Sequence, residues 1–331
     1  MSILTFTESF NSYLKTMLMK KHWGEKRAVR VFLAGLAALL FTGCSIRQAA
    51  VNLIGDALAG GGGVYTSDDD PELIREAIPF GLKTYEGLLA VSPEHRGLLL
   101  AAAKGFTSYA YLLQDEAERI DASRLAEARR LRRRAYKLYL RGRDYALQGL
   151  EVEHTDFTAL LKSDSASALA MTTEDDVQFL YWAGISWAGA LTAAKDNLDL
   201  IAELPFAAVL LRRVLEHDES YELGAAHEFF ISYEGGRPGG NSRLAREHYR
   251  RSLEISGGSR ASVHLALAEA VAIREQNLTE FRALIAAALA VDPDNTPALR
   301  LRNVIARRRA RWLESQIPNL FLDADGREEN K

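Results

Sequence analysis

Apolar residues recur at three- and four-residue spacing from residue 71 to about residue 323, and this periodicity restricts the chain to helical folds. The period-two alternation of a half-buried strand is scarce throughout the same region. Prolines stand at predicted helix starts or joints, where a missing N–H costs least. They are Pro79, Pro93, Pro205, Pro293 and Pro297. The pattern predicts an all-α domain.

Apolar helix ends followed by a polar turn recur along this region, which indicates an internal repeat. Leu215, Leu253 and Leu289 occupy equivalent places in three such units. Their spacings of 38 and 36 residues are near the period of about 34 residues of tetratricopeptide repeats. Intervals of 61 and 65 residues on either side of Leu150 indicate insertions. We expect tetratricopeptide-like helical hairpins that form a compact α-solenoid or bundle, because each hairpin hides its apolar face only against its neighbours.

Cys44 is the only cysteine, and an export signal precedes it. A basic stretch over residues 20–30 leads into the apolar residues 31–41 (VFLAGLAALLF), and small residues at 42 and 43 complete a cleavage site. This apolar segment is too short to cross a hydrocarbon core of about 30 Å. The sequence therefore predicts a signal peptide over residues 1–43.

The segment around Cys44 resembles the lipobox of bacterial lipoproteins, in which a peptidase cuts before the cysteine and the sulfur carries a diacylglyceryl group. Phe41 departs from the leucine that is usual three positions before the cysteine. Two or three acyl chains hold a protein firmly on a membrane, so we expect stable anchoring through Cys44. A buried thiol behind an uncleaved anchor is the alternative.

The exported part of the chain divides into a tether, a helical domain and a tail. Four consecutive glycines at residues 60–63 give the tether, residues 44–66, high backbone freedom. Acidic cap residues at 68–70 precede Pro71 and mark the start of ordered structure. We therefore expect a helical domain over residues 67–323 and a disordered tail over residues 324–331.

The exported part is also acidic. The whole chain has a formal net charge of −3, and the loss of six cationic and two anionic side chains with residues 1–43 makes it −7. Duplex binding needs a basic face, so nucleic acid is not expected as a partner. With Cys44 committed to lipid no intramolecular disulfide can form, and the domain must rely on its apolar core.

Residues 177–194 are apolar nearly all round and rich in glycine, alanine and aromatic residues. Their length raises the alternative of a transmembrane span. The glycines and aromatics are spread along the segment, and amphipathic segments flank it on both sides. These features favour a central helix that is buried on all sides.

No arrangement of catalytic or metal-binding residues stands out. Residues 184–189 (GISWAG) are similar to the G-x-S-x-G nucleophile elbow, but the second glycine is one place late and Ser186 falls within a predicted helix. The seven histidines are scattered, and neither H-E-x-x-H nor a Cys/His cluster occurs. We expect no catalytic residue, no metal and no cofactor.

Two basic runs, at residues 129–134 and 307–311, raise the alternatives of nucleic-acid or lipid-headgroup binding. On helices their charges spread around the surface, and nearby glutamates can screen them. Solvated faces or subunit contacts are the favoured interpretation.

Residues 65–322 resemble the T-component lipoproteins of tripartite ATP-independent periplasmic (TRAP) transporters. The stretches that carry the resemblance are residues 67–111, 132–151, 179–191, 227–240 (HEFFISYEGGRPGG), 245–258 (AREHYRRSLEISGG) and 305–315 (IARRRARWLES). The resemblance implies a tetratricopeptide-like protein that assembles as a homotrimer and has a pore-like cavity in each subunit. The implied partner is the periplasmic solute-binding subunit, and the implied solutes are hydrophobic or organic-acid molecules.

The candidate ligand-binding residues fall into two clusters. One is a helix end that runs into a glycine-rich loop, with His227, Glu228, Tyr233 and Arg237, where an arginine could pair with a carboxylate. The other is the aromatic set Tyr181, Trp182 and Trp187, which could form an apolar wall. The alternative is an inter-hairpin loop whose glycines only make the turn.

The sequence thus predicts a non-enzymatic, lipid-anchored accessory component of a TRAP transporter that handles a small solute. The alternative function is a general tetratricopeptide scaffold that organises envelope complexes without handling a solute. Ser45 after the cysteine, rather than an aspartate, favours the periplasmic face of the outer membrane, although anchoring in the inner membrane stays open.

Overall fold

The computed structural model describes residues 52–58 and 63–322, and every regular element in these two ranges is helical. The prediction of an all-α protein is confirmed. None of the helices in these ranges is long and apolar enough to cross a membrane. The predicted signal peptide, Cys44 and the predicted tail lie outside the described residues.

Residues 52–58 are helical, and labelled α-helices follow in chain order. The N-terminal ones are α1 (Gly63–Thr66), α2 (Pro71–Leu89), α3 (Arg96–Arg119), α4 (Leu125–Glu151), α5 (Phe157–Ser163), α6 (Ser165–Ala170), α7 (Val177–Ala193) and α8 (Leu198–Ile201). The C-terminal ones are α9 (Leu204–His217), α10 (Tyr221–Gly236), α11 (Ser242–Ser256), α12 (Ala261–Leu267), α13 (Leu278–Ala290), α14 (Arg300–Ser315) and α15 (Ile317–Leu320). A π-helical turn, Ala268–Ala272, continues α12.

Helix α2 begins where the sequence predicts a helix start. The Asp70 carboxylate accepts hydrogen bonds of 3.0 Å from the backbone N–H groups of Glu72 and Leu73, and Pro71 takes the first helical position. A cap of this kind stabilises a helix by about 1 kcal/mol. The short helix α1 lies within the predicted tether, and the Ser67 carbonyl, at the predicted start of the domain, accepts a 3.3 Å hydrogen bond from Arg300. The division into tether, domain and tail stays a prediction.

Pro79 lies inside α2 rather than at a joint between two helices. A proline in a helix interior removes one backbone hydrogen bond and crowds the preceding turn. Ile74, Ile78 and Leu82 of the same helix are buried in the core, so packing keeps the helix continuous. The expectation of a break at Pro79 was wrong because tertiary burial outweighs this local cost.

Helix α7 is the centre of the N-terminal part of the fold. It packs against α3, α4, α9 and α10; most of its residues are buried, and Thr192 is the one exposed residue of the helix. Small residues let the helices approach. A Cβ added at Gly184 would lie 2.6 Å from the Leu211 side chain of α9, and one added at Gly189 would overlap the ring of Tyr139 on α4. The interpretation of this segment as a buried central helix therefore agrees with its packing.

Two apolar clusters form the core. The first joins α2, α3, α4, α7 and α9 with Leu301 and Ile305 of α14, and the second joins α12, α13 and the other buried apolar residues of α14. Helix α10 belongs to both, because Phe229 and Phe230 pack in the first cluster and Ile231 in the second. This helix therefore connects the two halves of the helical domain.

The recurring apolar segments found in the sequence fall at the ends of alternate helices. Leu215, Leu253 and Leu289 lie in the last turns of α9, α11 and α13. Gly257 closes α11 with a φ of 57°, a left-handed conformation that glycine adopts without strain. A regular tetratricopeptide-like repeat stays a prediction.

We expect Gly149→Ala on α4 to destabilise the protein by about 1–3 kcal/mol, because overpacking a core forces side chains out of place. The added Cβ would overlap the Phe179 ring of α7, which is itself buried. Urea denaturation of the full chain measures the change in the free energy of unfolding.

Gly87→Ala on α2 is the matched control, since nothing lies within 4 Å of its added Cβ. It should leave stability unchanged or raise it by up to about 1 kcal/mol through helix propensity. Equal stability of the two variants would contradict the close α4–α7 packing.

Candidate functional site

A chamber with a volume of about 1010 Å³ opens between α1, α2, α3, α7, α10 and α14. Its lining is mostly apolar. Ile74, Ile78 and Leu82 of α2 form one apolar wall, and Leu301 and Ile305 of α14 lie in another part of the lining. A mostly apolar lining with a few polar groups is typical of a small-molecule site, and this volume is at the upper end of the range for such sites.

Aromatic side chains form a second wall of the chamber. On α7, Tyr181 and Trp182 stand edge to face with ring centroids 5.3 Å apart, and both line the space. The Tyr221 ring lies 5.2 Å from Tyr181. Burial raises the pKa of the Tyr181 hydroxyl, so this wall is neutral at physiological pH.

Most cations of the chamber lining are neutralised by carboxylates. Arg260 donates to Glu228 at 2.6 Å, and Ser262 donates to the same carboxylate oxygen at 2.8 Å. Burial alone would lower the pKa of Arg260, but the Glu228 carboxylate helps to raise it above its ordinary value. Arg302 forms an ion pair with Glu222 at 3.3 Å. These pairs leave little net charge on the α10 side of the chamber.

The chain takes an unusual path where α10 begins. Glu222, Leu223 and Gly224 all have positive φ angles, of 50°, 57° and 75°. A left-handed conformation costs about 1–2 kcal/mol for each non-glycine residue. Arg260 donates a 2.9 Å hydrogen bond to the Glu222 carbonyl, and Arg302 pairs with the Glu222 side chain. Two lining arginines therefore hold a strained segment in the chamber wall.

Lys104 of α3 is a lining cation of a different kind. Its Nζ lies 5.9 Å from the centroid of the Trp182 ring, and it has no hydrogen bond or ion pair with any residue in the described ranges. Burial lowers the pKa of Lys104; Glu222 opposes this effect and Arg302 adds to it. This distance is within the range of a cation–π interaction with the aromatic face.

A second cavity of about 1180 Å³ adjoins the chamber, and we call it the vestibule. The two spaces share the lining residues Tyr111, Gln114, Thr192, Lys195, Glu228, Ser232 and Ser262. Charged residues dominate the rest of the vestibule lining. They are Asp115, Glu118, Arg129, Arg132, Arg133, Asp196, Glu269 and Arg309. A mostly apolar cavity thus adjoins one that is lined mostly by charged and polar residues.

The two predicted basic runs reach this region in different ways. Arg309 is bound by Glu118 and, at 2.6 Å, by Glu269, so this part of the C-terminal run is internally neutralised. Arg129, Arg132 and Arg133 of the N-terminal run line the vestibule. None of these three forms an ion pair with the residues that the structure describes. Their charge faces solvent in the vestibule.

Five of the seven predicted ligand-binding residues line the chamber. They are Tyr181, Trp182, Glu228, Tyr233 and Arg237. Arg237 is already occupied, because it donates to Glu234 at 2.9 Å and its guanidinium lies 4.7 Å from the Tyr233 ring centroid. Whether these residues bind a ligand stays a prediction.

Trp187 lies outside the lining of both cavities. Its ring stacks on Phe206 with centroids 5.5 Å apart, and its Nε1 donates to Glu203 at 2.8 Å. The Arg143 guanidinium covers the ring at 4.8 Å. The structure places this tryptophan in the α7–α9 packing.

His227 also points away from the chamber. Its Nε2 is 3.1 Å from Glu219 and its Nδ1 is 2.8 Å from Nδ1 of His248. A carboxylate only accepts, so the neutral His227 ring donates from Nε2 and accepts from His248 at Nδ1. Burial lowers the pKa of His227, and it lowers that of His248, beside His227, to about 4. Both rings are therefore neutral at physiological pH.

Ser186 of the GISWAG segment is a packing residue. It is a fully buried residue of α7. Its hydroxyl donates a hydrogen bond to the Trp182 carbonyl and shares a hydrogen bond with the Thr107 hydroxyl of α3. The turn between a strand and a helix that a nucleophile elbow requires does not occur here, since α7 runs unbroken through Ser186.

Sequence reasoning did not single out Lys104, Arg260 or Arg302. Lys104 could have been found, because it is the lone charged residue within the apolar residues 98–113. Arg260 and Arg302 gave no local signal. Their carboxylate partners lie far away in the sequence.

Comparison with known proteins identifies relatives of the chain. Residues 67–321 match the profile of a protein family described as TRAP transporter T-component. A protein of Treponema pallidum (strain Nichols), named only as an uncharacterized protein, is 29% identical over 319 residues. The alignment covers 89% of this chain and 99% of that relative.

We expect the free energy of unfolding to decrease as the pH falls from about 6.5 to about 4. His248 has a folded-state pKa of about 4, below its ordinary value of 6.5. In this window the unfolded chain binds the proton first, so acid favours unfolding. Denaturant midpoints measured between pH 4 and pH 8 record the effect.

His248→Phe should unfold more easily at pH 8, because His227 loses its donor, but its stability should depend less on pH between 6.5 and 4. A pH profile parallel to that of the unsubstituted protein would refute this assignment.

Proposed function

Because the chain belongs to the TRAP transporter T-component family, we propose that it is the accessory component of such a transporter and that its chamber holds a small solute beside the periplasmic solute-binding subunit. We further propose that it acts as a homotrimer, as the resemblance implies, and that it works by binding rather than by catalysis.

The observation that carries this proposal is the chamber. Its volume of about 1010 Å³ suits a small organic molecule. Its apolar walls and charged vestibule favour solutes with an apolar body, such as hydrophobic molecules or organic acids. The residues shared by the two cavities show that the cavities adjoin, which supports passage of a solute rather than storage in a closed core.

The alternative is a general scaffold lipoprotein that organises envelope complexes without handling a solute. Helical-hairpin proteins do present extended binding surfaces. A mere scaffold, however, has no need of a large internal space with a lysine in its wall, whereas an unfilled cavity in a core is destabilising. The chamber therefore favours the solute-handling proposal.

Affinity purification of the full chain from its native membranes, followed by mass spectrometry of bound proteins and small molecules, tests the proposal. We expect the solute-binding subunit and a small organic molecule to co-purify. Native mass spectrometry of the same sample counts the copies in the assembly. Retention of assembly factors alone, with no small molecule, would favour the scaffold.

A chamber-filling variant makes the test specific. Ser108 of α3 lines the chamber, so Ser108→Trp should fill part of the space and reduce the bound small molecule at least several-fold. Ser123→Trp is the matched control, because Ser123 is exposed and away from both cavities. Equal small-molecule content in both variants would place the molecule elsewhere.

We also propose that Cys44 carries the lipid anchor and that the protein is held at the periplasmic face of the outer membrane. The export signal before Cys44 supports this proposal. Cys44→Ala should abolish acylation, and Ser45→Ala should retain it. Mass spectrometry of the N-terminal peptide, together with separation of inner and outer membranes, gives the readout; an unacylated N-terminus in the unsubstituted protein would reject the anchor.

A further inference from the structure

Lys104 is placed where a lysine is costly unless it binds an anion. It lies in the middle of α3 among the small residues Ala101, Ala103 and Gly105, and its side chain lines the chamber. A cation taken partly out of water without a counter-ion loses solvation free energy. The Trp182 ring, 5.9 Å away, offsets only part of that loss.

The protein does not supply Lys104 with a counter-ion among the described residues. Three arginines of the same lining do have one. Arg260 pairs with Glu228, Arg302 with Glu222 and Arg237 with Glu234. Glu222 is the acid that acts on Lys104 electrostatically, but its carboxylate is bound to Arg302.

The lining as a whole is positive, although the chain is negative. Its cations are Lys104, Lys195, Arg237, Arg260 and Arg302, and its carboxylates are Glu222 and Glu228. Adding Glu234, the partner of Arg237, still leaves the cations in excess. The full chain has a formal net charge of −3. The chamber is therefore a local region of positive potential with low-dielectric walls, which attracts anions.

An apolar surface begins directly beside this charge. A Cβ at Gly105, the residue after Lys104, would lie 2.7 Å from a methyl carbon of Leu82. Leu82, Ile78 and Ile74 are all buried residues of α2, and together they form an apolar strip in the chamber lining. A ligand with its charge at Lys104 would meet apolar side chains along the rest of its length.

We infer that the chamber selects amphiphiles with a single anionic head group, which pairs with the Lys104 ammonium while the apolar chain lies along α2. This inference rests on the proposed function, since it assigns the solute class of the same chamber. Lys104 is then the residue that determines specificity. A neutral hydrophobe leaves the lysine unpaired. A dianion that lies along α2 places its second charge beside the apolar side chains of that helix.

Isothermal titration calorimetry on the full chain in lipid nanodiscs, with empty nanodiscs as the blank, tests the inference. The probes are decanoate, decanol and decanedioate. We expect decanoate to bind at least tenfold more tightly than either of the other two. Ser108→Trp should weaken all binding, which locates the probes in the chamber.

Lys104→Met keeps the length of the side chain and removes the charge. It should weaken decanoate binding at least tenfold and change decanol binding less than twofold, whereas Lys104→Arg should keep the preference for the anion. Lys137→Met, at an exposed position on α4, is the matched control and should bind all probes as the unsubstituted protein does. Lys104→Gln replaces Lys104→Met if the latter does not fold.

The outcomes distinguish a failure of the Lys104 assignment from a failure of the chamber as a ligand site. If decanoate and decanol bind equally well, or if Lys104→Met binds decanoate normally, the role of Lys104 is overturned while the chamber remains a ligand site. If no probe binds the unsubstituted protein at the chamber, the inference falls together with the proposed solute site.

Discussion

The burial of α7 is the constraint on which the remaining structure depends. This helix contacts α3, α4, α9 and α10, so each of them is positioned against a common axis. Glycines at 149, 184 and 189 allow these contacts, because a side chain at any of them would overlap a neighbour. Because tightly packed helices cannot shift independently, this packing fixes the positions of Tyr181 and Trp182 in the chamber wall.

The charged residues around the two cavities are mostly arranged in ion pairs. Ion pairs around the cavities, such as Glu228–Arg260 and Glu269–Arg309, join residues from distant parts of the chain. Each pair neutralises the charge of a largely buried arginine and links two separate parts of the cavity lining. Among the described residues, Lys104 and Lys195 of the chamber lining have no carboxylate partner, and Lys104 is the less exposed of the two.

The sequence was sufficient for features that depend on local pattern. The periodicity gave the all-α class, residues 68–71 gave the start of α2, and the composition of residues 177–194 gave a buried helix. It failed at Pro79, where burial of the surrounding residues decides the outcome. Local signals suffice when one element determines its own structure, and they fail when another element intervenes.

The site was harder to predict for the same reason. Arg237 was predicted to pair with a ligand carboxylate, and this stays a prediction; the sequence did not indicate that Glu234, three residues earlier, forms an ion pair with it. Lys104 stands out in the sequence as a lone charge, but only the surrounding helices show that it lines the chamber without a carboxylate partner among the described residues. Ion pairs such as Glu222–Arg302 join distant parts of the chain, and a single sequence carries no record of them.

The residues with positive φ at the start of α10 place backbone strain in the chamber wall. A chain selected only for stability would carry glycine or asparagine at positions 222 and 223, since these residues adopt positive φ with less strain. This chain keeps a glutamate and a leucine there. The strain of this segment is held by the side-chain contacts of Arg260 and Arg302, so a loss of either arginine would remove a support that the backbone itself does not provide.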